Sequence, residues 1–155
     1  MAKMETLGIL MDKKEKTVAP RSIAALWSFD KGCRHLLTEV QLQTPGKGER
    51  LVVDALWDTG ASSCAVSKEL AYKMGLKPKG RIETGLADGS IIEAETADLL
   101  FYLPDGTSTK AEVSILDMAG KKYDFIVGMD VILQGNFEII KTSEGFDFYF
   151  KINKH

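Results

Sequence analysis

Two cysteines and two histidines in 155 residues leave little material for disulfide or metal chemistry. Cys33 and Cys64 are too few for a disulfide framework, and His35 and His155 stand apart from each other and from any cysteine pair. Free thiols, no metal and no cofactor are therefore expected, with His35 a surface or strand residue and His155 a frayed terminus. Basic charge is not in excess either. Lys plus Arg of 20 against Asp plus Glu of 22 gives a net charge of −2, which excludes the global positive field that would mark nucleic acid or an anionic membrane as partner. Long apolar runs are missing: the N-terminal "LGILM" is too short for a signal-peptide core and far too short to span a bilayer. A cytoplasmic protein with a protein or peptide partner is the expectation. Heptads, low-complexity tracts and repeats of 20 to 50 residues are also absent.

What is present is enough for one domain, since a chain of this length at 45% hydrophobic composition can bury a real core. Residues 1–24 are mixed in character, with Lys13, Lys14, Glu15 and Lys16 clustered ahead of Pro20, and read as an N-terminal tail or peripheral element. Residues 25–155 read as the domain. Regular pattern begins near Trp27. "LLTEVQLQT" places Leu36, Val40 and Leu42 on one face, "PGKG" turns the chain, and the more apolar "RLVVDALW" returns as a buried strand that ends at Asp58.

The convincing helix is "SKELAYKMGL", with Ser67 as N-cap, Glu69 in the first turn, Leu70 and Met74 on one face, and Gly75 and Pro78 as stops. Strands punctuated by "ADGS" (87–90) and "PDGT" (104–107) follow, each an Asp-Gly turn suited to a tight hairpin. Asp88 and Asp105 are thus turn formers. Phe125 to Val127 resumes an apolar strand that breaks at Gly128, and Asp130 is expected to cap a single helical turn ended by Gly135. In "FDFYFKI" the residues Phe146, Phe148, Phe150 and Ile152 alternate with polar neighbours, a ladder that packs inside or pairs with another chain. The fold class is mainly β and barrel-like, with one or two short helices. Trp27 and Trp57 read as core, and Cys64 as a small buried residue.

The stretch "ALWDTGASSCAVS" (55–67) carries the chemistry. A carboxylate at the mouth of a strand is either a turn former or the centre of a site. Metal-free hydrolysis of a peptide bond needs one carboxylate to take a proton from water and a second, protonated one to polarise the carbonyl. Two carboxyls that close share a single proton. Gly60 lets the backbone turn towards Asp58 with its N–H groups, and Thr59 and Ser62 supply hydroxyls that can fix orientation.

These residues resemble the retropepsin-like aspartic peptidases, and more closely the non-viral, bacterial members. The resemblance rests on "LWDTGASS" (56–63), "FIVGMD" (125–130) and the hairpin "IETGLADGSIIEAE" between them, and it covers roughly residues 35 to 152. A bare Asp-Thr-Gly arises by chance in about one chain in thirty of this length, so the surrounding elements give it meaning. The resemblance implies that Asp58 is catalytic, and that Thr59 grips its counterpart across a dimer axis. Gly60, Ala61 and Ser62 would complete the turn, Leu86, Ala87, Asp88 and Gly89 would form a flap, and Gly128 would pack beneath the turn. Viral members often place Arg and then Asn or Asp after that glycine, whereas Met129 and Asp130 stand here.

Only one Asp-Thr-Gly occurs, so a single chain supplies half a dyad. The function implied is an aspartic endopeptidase that works as a homodimer. The alternative, from a different class, is a catalytically silent dimeric scaffold on the same fold that binds extended peptides by strand addition.

Overall fold

A computed structural model of the chain describes residues 3–8 and 24–153; the charged cluster at 13–16, Pro20 and His155 lie outside them. Among the described residues the elements run β1 (Lys3–Gly8), β2 (Ala24–Asp30), β3 (Leu37–Gln43), β4 (Arg50–Trp57), β5 (Ala65–Ser67), α1 (Lys68–Met74), β6 (Gly80–Gly85) and β7 (Ile91–Tyr102). They continue with β8 (Ser108–Leu116), β9 (Phe125–Val127), α2 (Met129–Ile132), β10 (Gly135–Lys141) and β11 (Gly145–Ile152).

Six strands close into a barrel in the order β3, β4, β9, β5, β8, β7, and β7 returns to β3 through Gln41–Gln43 against Leu100–Tyr102. The mainly β, barrel-like expectation is met, with two short helices. Alternation explains the barrel wall: on β4, Val53, Ala55 and Trp57 point inward and are buried, while Arg50, Val52 and Asp54 face out. The 12-residue β7 is longer than the barrel needs. Its second half pairs with β8, while Ile91–Thr96 pairs with β6 and carries the hairpin beyond the wall. Ile91, Ile92 and Glu93 are exposed; burial starts at Ala94.

A second sheet runs β1, β2, β11, β10, so the final strand has neighbours on both sides. Phe148 and Phe150 are fully buried and Ile152 nearly so, while Phe146 is half-buried. The Phe148 ring lies stacked on Trp27 at 5.3 Å and meets Trp57 edge-on at 5.0 Å, which joins the two sheets through one aromatic cluster. Both tryptophans are core residues.

Helix α1 forms as its sequence predicts. Ser67 Oγ accepts the Leu70 N–H at 3.0 Å, Leu70 and Met74 are buried, and Gly75 closes the helix in the left-handed region. Two expectations about α2 are corrected. Its N-cap is Gly128, which has no side chain to cap with, and Asp130 lies inside the helix, where its carboxylate accepts the Val131 N–H as well as the Cys64 donors. Gly135 is not the stop: Leu133 is the C-cap, and Gly135 opens β10 where the Lys151 carbonyl approaches too closely for a Cβ. No helix among the described residues is long and apolar enough to cross a membrane.

Candidate active site

Asp58 follows directly on Trp57, and Trp57 decides where it lies. The Trp57 ring is 4% exposed, contacts Phe101, Phe137, Phe148 and Phe150, and donates its Nε1–H to Thr38 Oγ1 at 2.8 Å. With that ring fixed in the core, the next residue emerges at the barrel end. Asp58 is half-buried, and its N–H donates to the Val127 carbonyl at 2.9 Å, extending the parallel pairing of β4 with β9 by one rung.

The turn closes back on this carboxylate. Gly60 N–H donates to Asp58 Oδ1 at 2.8 Å and Ala61 N–H to the Asp58 carbonyl at 3.1 Å. Oδ2 has no hydrogen-bond partner among the described residues. Thr59 and Ser62 are exposed, and Ala61 is half-buried.

Beneath the turn runs the start of α2. Met129 N–H donates to the Ala61 carbonyl at 2.8 Å and Asp130 N–H to the Ser62 carbonyl at 3.2 Å. A Cβ on Gly128 would sit 2.5 Å from the Ser63 carbonyl carbon and oxygen, so only glycine allows the two segments to lie this close. Gly128 thus lies under the turn.

Cys64 ends the turn and is fully buried. Its N–H and thiol donate to the two Asp130 carboxylate oxygens at 3.3 and 3.2 Å, and its sulfur accepts the Gly128 N–H at 3.4 Å. Burial, reinforced by the Asp130 charge, pushes the thiol well above its ordinary pKa, so it is a protonated donor and not a reactive thiolate. Reading the sequence missed this contact, because its partners are 66 positions apart and no local pattern links them.

Leu86, Ala87, Asp88 and Gly89 form the tip of the β6–β7 hairpin. The hydrogen bonds of the tip are internal: Gly89 N–H to the Leu86 carbonyl, Leu86 N–H to the Ser90 carbonyl, and both Ser90 donors to Asp88 Oδ1. The Ser90 hydroxyl and N–H hold the Asp88 carboxyl below the usual range. Asp105 and Thr107 repeat the pattern at the β7–β8 turn. One face of the projecting hairpin carries Ile82, Thr84, Ile92 and Ala94, the other Arg81, Glu83, Glu93 and Glu95. Among the described residues no group of three or more His, Cys, Asp or Glu is placed to hold a metal ion.

A closed six-stranded barrel that presents one Asp-Thr-Gly turn at a strand end, braced by an apolar-apolar-Gly segment, defines a retropepsin-like aspartic protease fold. The chain belongs to the gag-polyprotein putative aspartyl protease family, whose profile matches residues 47–134, more than half of its length. Solved structures similar to it include the foamy viral protease-reverse transcriptase in complex with an RNA/DNA hybrid, at 16% identity and a TM-score of 0.44, with 63% of this chain covered. The chain spans 12% of that viral chain. A retropepsin-like aspartic protease from Rickettsia conorii is 19% identical at a TM-score of 0.43, with 73% of this chain and 88% of that one covered. A Legionella pneumophila protein of unknown function is 16% identical at a TM-score of 0.41, covering 61% and 83%. No curated protein matches the sequence.

Proposed function

We propose that the protein is an aspartic endopeptidase in which two chains each contribute one Asp58 to a shared dyad, within a domain of residues 25–155 flanked by a peripheral segment 1–24. The observation that carries this reading is the single, half-buried Asp58, held through one oxygen by Gly60 and with the other left to act. In the dimer the ionised Asp58 takes a proton from water as the oxygen attacks the peptide carbonyl, and the protonated Asp58 gives its proton to the carbonyl oxygen. Collapse of the tetrahedral intermediate breaks the C–N bond, with a proton passed to the leaving amine. Thr59, exposed beside Asp58, faces its counterpart across the twofold axis. Leu86 to Gly89 cover the bound peptide as a flap, with the Ile82 and Ile92 face towards it.

A second copy also has a surface to meet. Among the described residues β10 is an outer strand, and Ile139 and Ile140 on it are 54% and 44% exposed, which is costly for an edge unless it is paired.

The test mixes wild-type chains with excess Asp58→Asn chains under conditions that allow subunit exchange, and follows cleavage of a quenched fluorescent peptide. Activity per wild-type chain should fall as mixed dimers form. Undiminished activity despite demonstrated exchange overturns the shared dyad, and a dimeric wild type that cuts nothing across a broad pH range favours the scaffold alternative.

A further inference from the structure

We propose that Cys64 and Asp130 act as a positioning pair that fixes the Asp58 turn against α2; the proposal rests on the peptidase reading above. Asp130 is the residue expected to cap α2, yet its carboxylate turns to the opposite segment. It accepts the Cys64 N–H at 3.3 Å, the Cys64 thiol at 3.2 Å and the N–H of its own neighbour Val131 at 2.9 Å. The Cys64 sulfur accepts the Gly128 N–H in return. Cys64 therefore ties to Gly128 and to Asp130 at once, from a position with no solvent exposure.

The arrangement completes a ladder. Residues 127, 129 and 130 hold the turn through backbone bonds to Asp58, Ala61 and Ser62, and the 64–130 contact is the fourth rung, made by the Asp130 carboxylate with the Cys64 N–H and thiol. Beyond it the chain enters β5, which is held by β8 and β9 whatever occupies position 64. Loss of the rung should therefore tilt the turn without dissolving the barrel. A half-buried carboxylate that loses one of its three donors is held less firmly, so Asp130 would move to replace it and pull the Ala61 and Ser62 contacts with it. Asp58, at the other end of the same turn, would shift against the substrate.

Replacements at the two positions separate this role from simple packing. Cys64→Ser keeps a side-chain donor and acceptor, whereas Cys64→Ala removes both and leaves only the backbone N–H to Asp130. Asp130→Asn keeps the shape but leaves one oxygen to accept where two are used. With a quenched fluorescent peptide as substrate, Cys64→Ala should lower kcat by about ten- to a hundred-fold, the scale of a small misplacement of reacting groups, with KM little changed. Cys64→Ser should recover most of the rate. Asp130→Asn should lose a similar amount, and the double variant should be little worse than either single one. Folded Cys64→Ala and Asp130→Asn with wild-type kcat, or losses that simply add, overturn the proposal. Should Cys64→Ala fail to fold, Cys64→Val and Asp130→Asn decide it by the same criteria.

Hydrogen exchange at the Gly60 and Ala61 amides gives a readout independent of activity. It should speed up in Cys64→Ala and Asp130→Asn while the α1 amides are unaffected, and unchanged exchange at the turn overturns the proposal. An inactive wild type would sink the peptidase reading alone and leave the exchange measurement to decide on the pair.

Discussion

Phe148 is where the two sheets are joined, and truncating it is the most direct probe of the core. Its side chain is fully buried on β11, between β2 and β10, with ring partners Trp27 at 5.3 Å, Trp57 at 5.0 Å and Phe137 at 4.8 Å. Phe→Ala in a core costs about 3–5 kcal/mol in lost transfer energy and cavity. The upper half of that range applies here, because an interior strand cannot collapse into the hole and three ring contacts vanish together. A loss of about 4–5 kcal/mol is a third or more of the stability of an ordinary domain. Phe148→Asp adds an uncompensated buried charge and should leave no folded protein. Urea unfolding followed by tryptophan fluorescence, at one fixed protein concentration, measures this directly, with Val52→Thr as a control. Val52 is 59% exposed, and that change should stay within about 0.5 kcal/mol. A Phe148→Ala protein less than about 1.5 kcal/mol below wild type, or a soluble and active Phe148→Asp dimer, would refute the packing argument.

Two further outcomes follow from the site and the hairpin. Gly128→Ala sets a Cβ against the Ser63 backbone, so it should cost about 1–3 kcal/mol and displace the Asp58 turn, and wild-type stability and activity in this variant would show that the close approach is not needed. At the hairpin tip, exchange at residues 86–90 should slow when a statine-containing peptide binds, and equal protection counts against a lid. Because the Asp88 pKa is depressed, the stability from its bonds to Ser90 is fully present above its ordinary value of 3.8 and is lost as pH falls through the lower folded-state value. Asp88→Asn should remove that acid loosening, as seen in the Ser90 amide exchange.

Much of this architecture was legible because its determinants are local. Ser67, Glu69 and Gly75 specify α1 within ten residues, the Asp-Gly pairs specify hairpins through side-chain bonds to the residue two further on, and alternation marks β4 and β11. What was not legible depends on partners distant in sequence. β5 is three residues long, too short for any periodicity, and exists because it is flanked by two other strands, β9 and β8. The extra length of β7, which builds the projecting hairpin, shows only once its two halves are seen to pair with different strands. Asp130 carries a capping signal that is used only in part: from inside α2 it accepts the Val131 N–H, and it shares its carboxylate with Cys64. Gly135 carries a valid stop signal, but serves a close approach of β10 to β11.

The same contacts bear on which second carboxylate could complete the chemistry. Asp88 and Asp105 each accept an N–H and a hydroxyl within their own turns. Asp130 is committed to Cys64 and Val131. Asp124, next to β9, takes the Ser67 hydroxyl at the head of α1, and Asp98 lies between Lys79 and Lys110, which with the Lys79 contact largest hold its carboxyl low. Each of these carboxylates is engaged by donors where it stands, whereas a general acid must be free to reach its substrate. Asp58 is held through one oxygen by a single N–H, on the Asp-Thr-Gly turn that follows β4. On the shared-dyad reading proposed above, the second carboxyl is Asp58 of another copy. Concentration dependence of the activity, falling with dilution as dimers separate, is therefore the signature that would distinguish this half-site from a chain complete on its own.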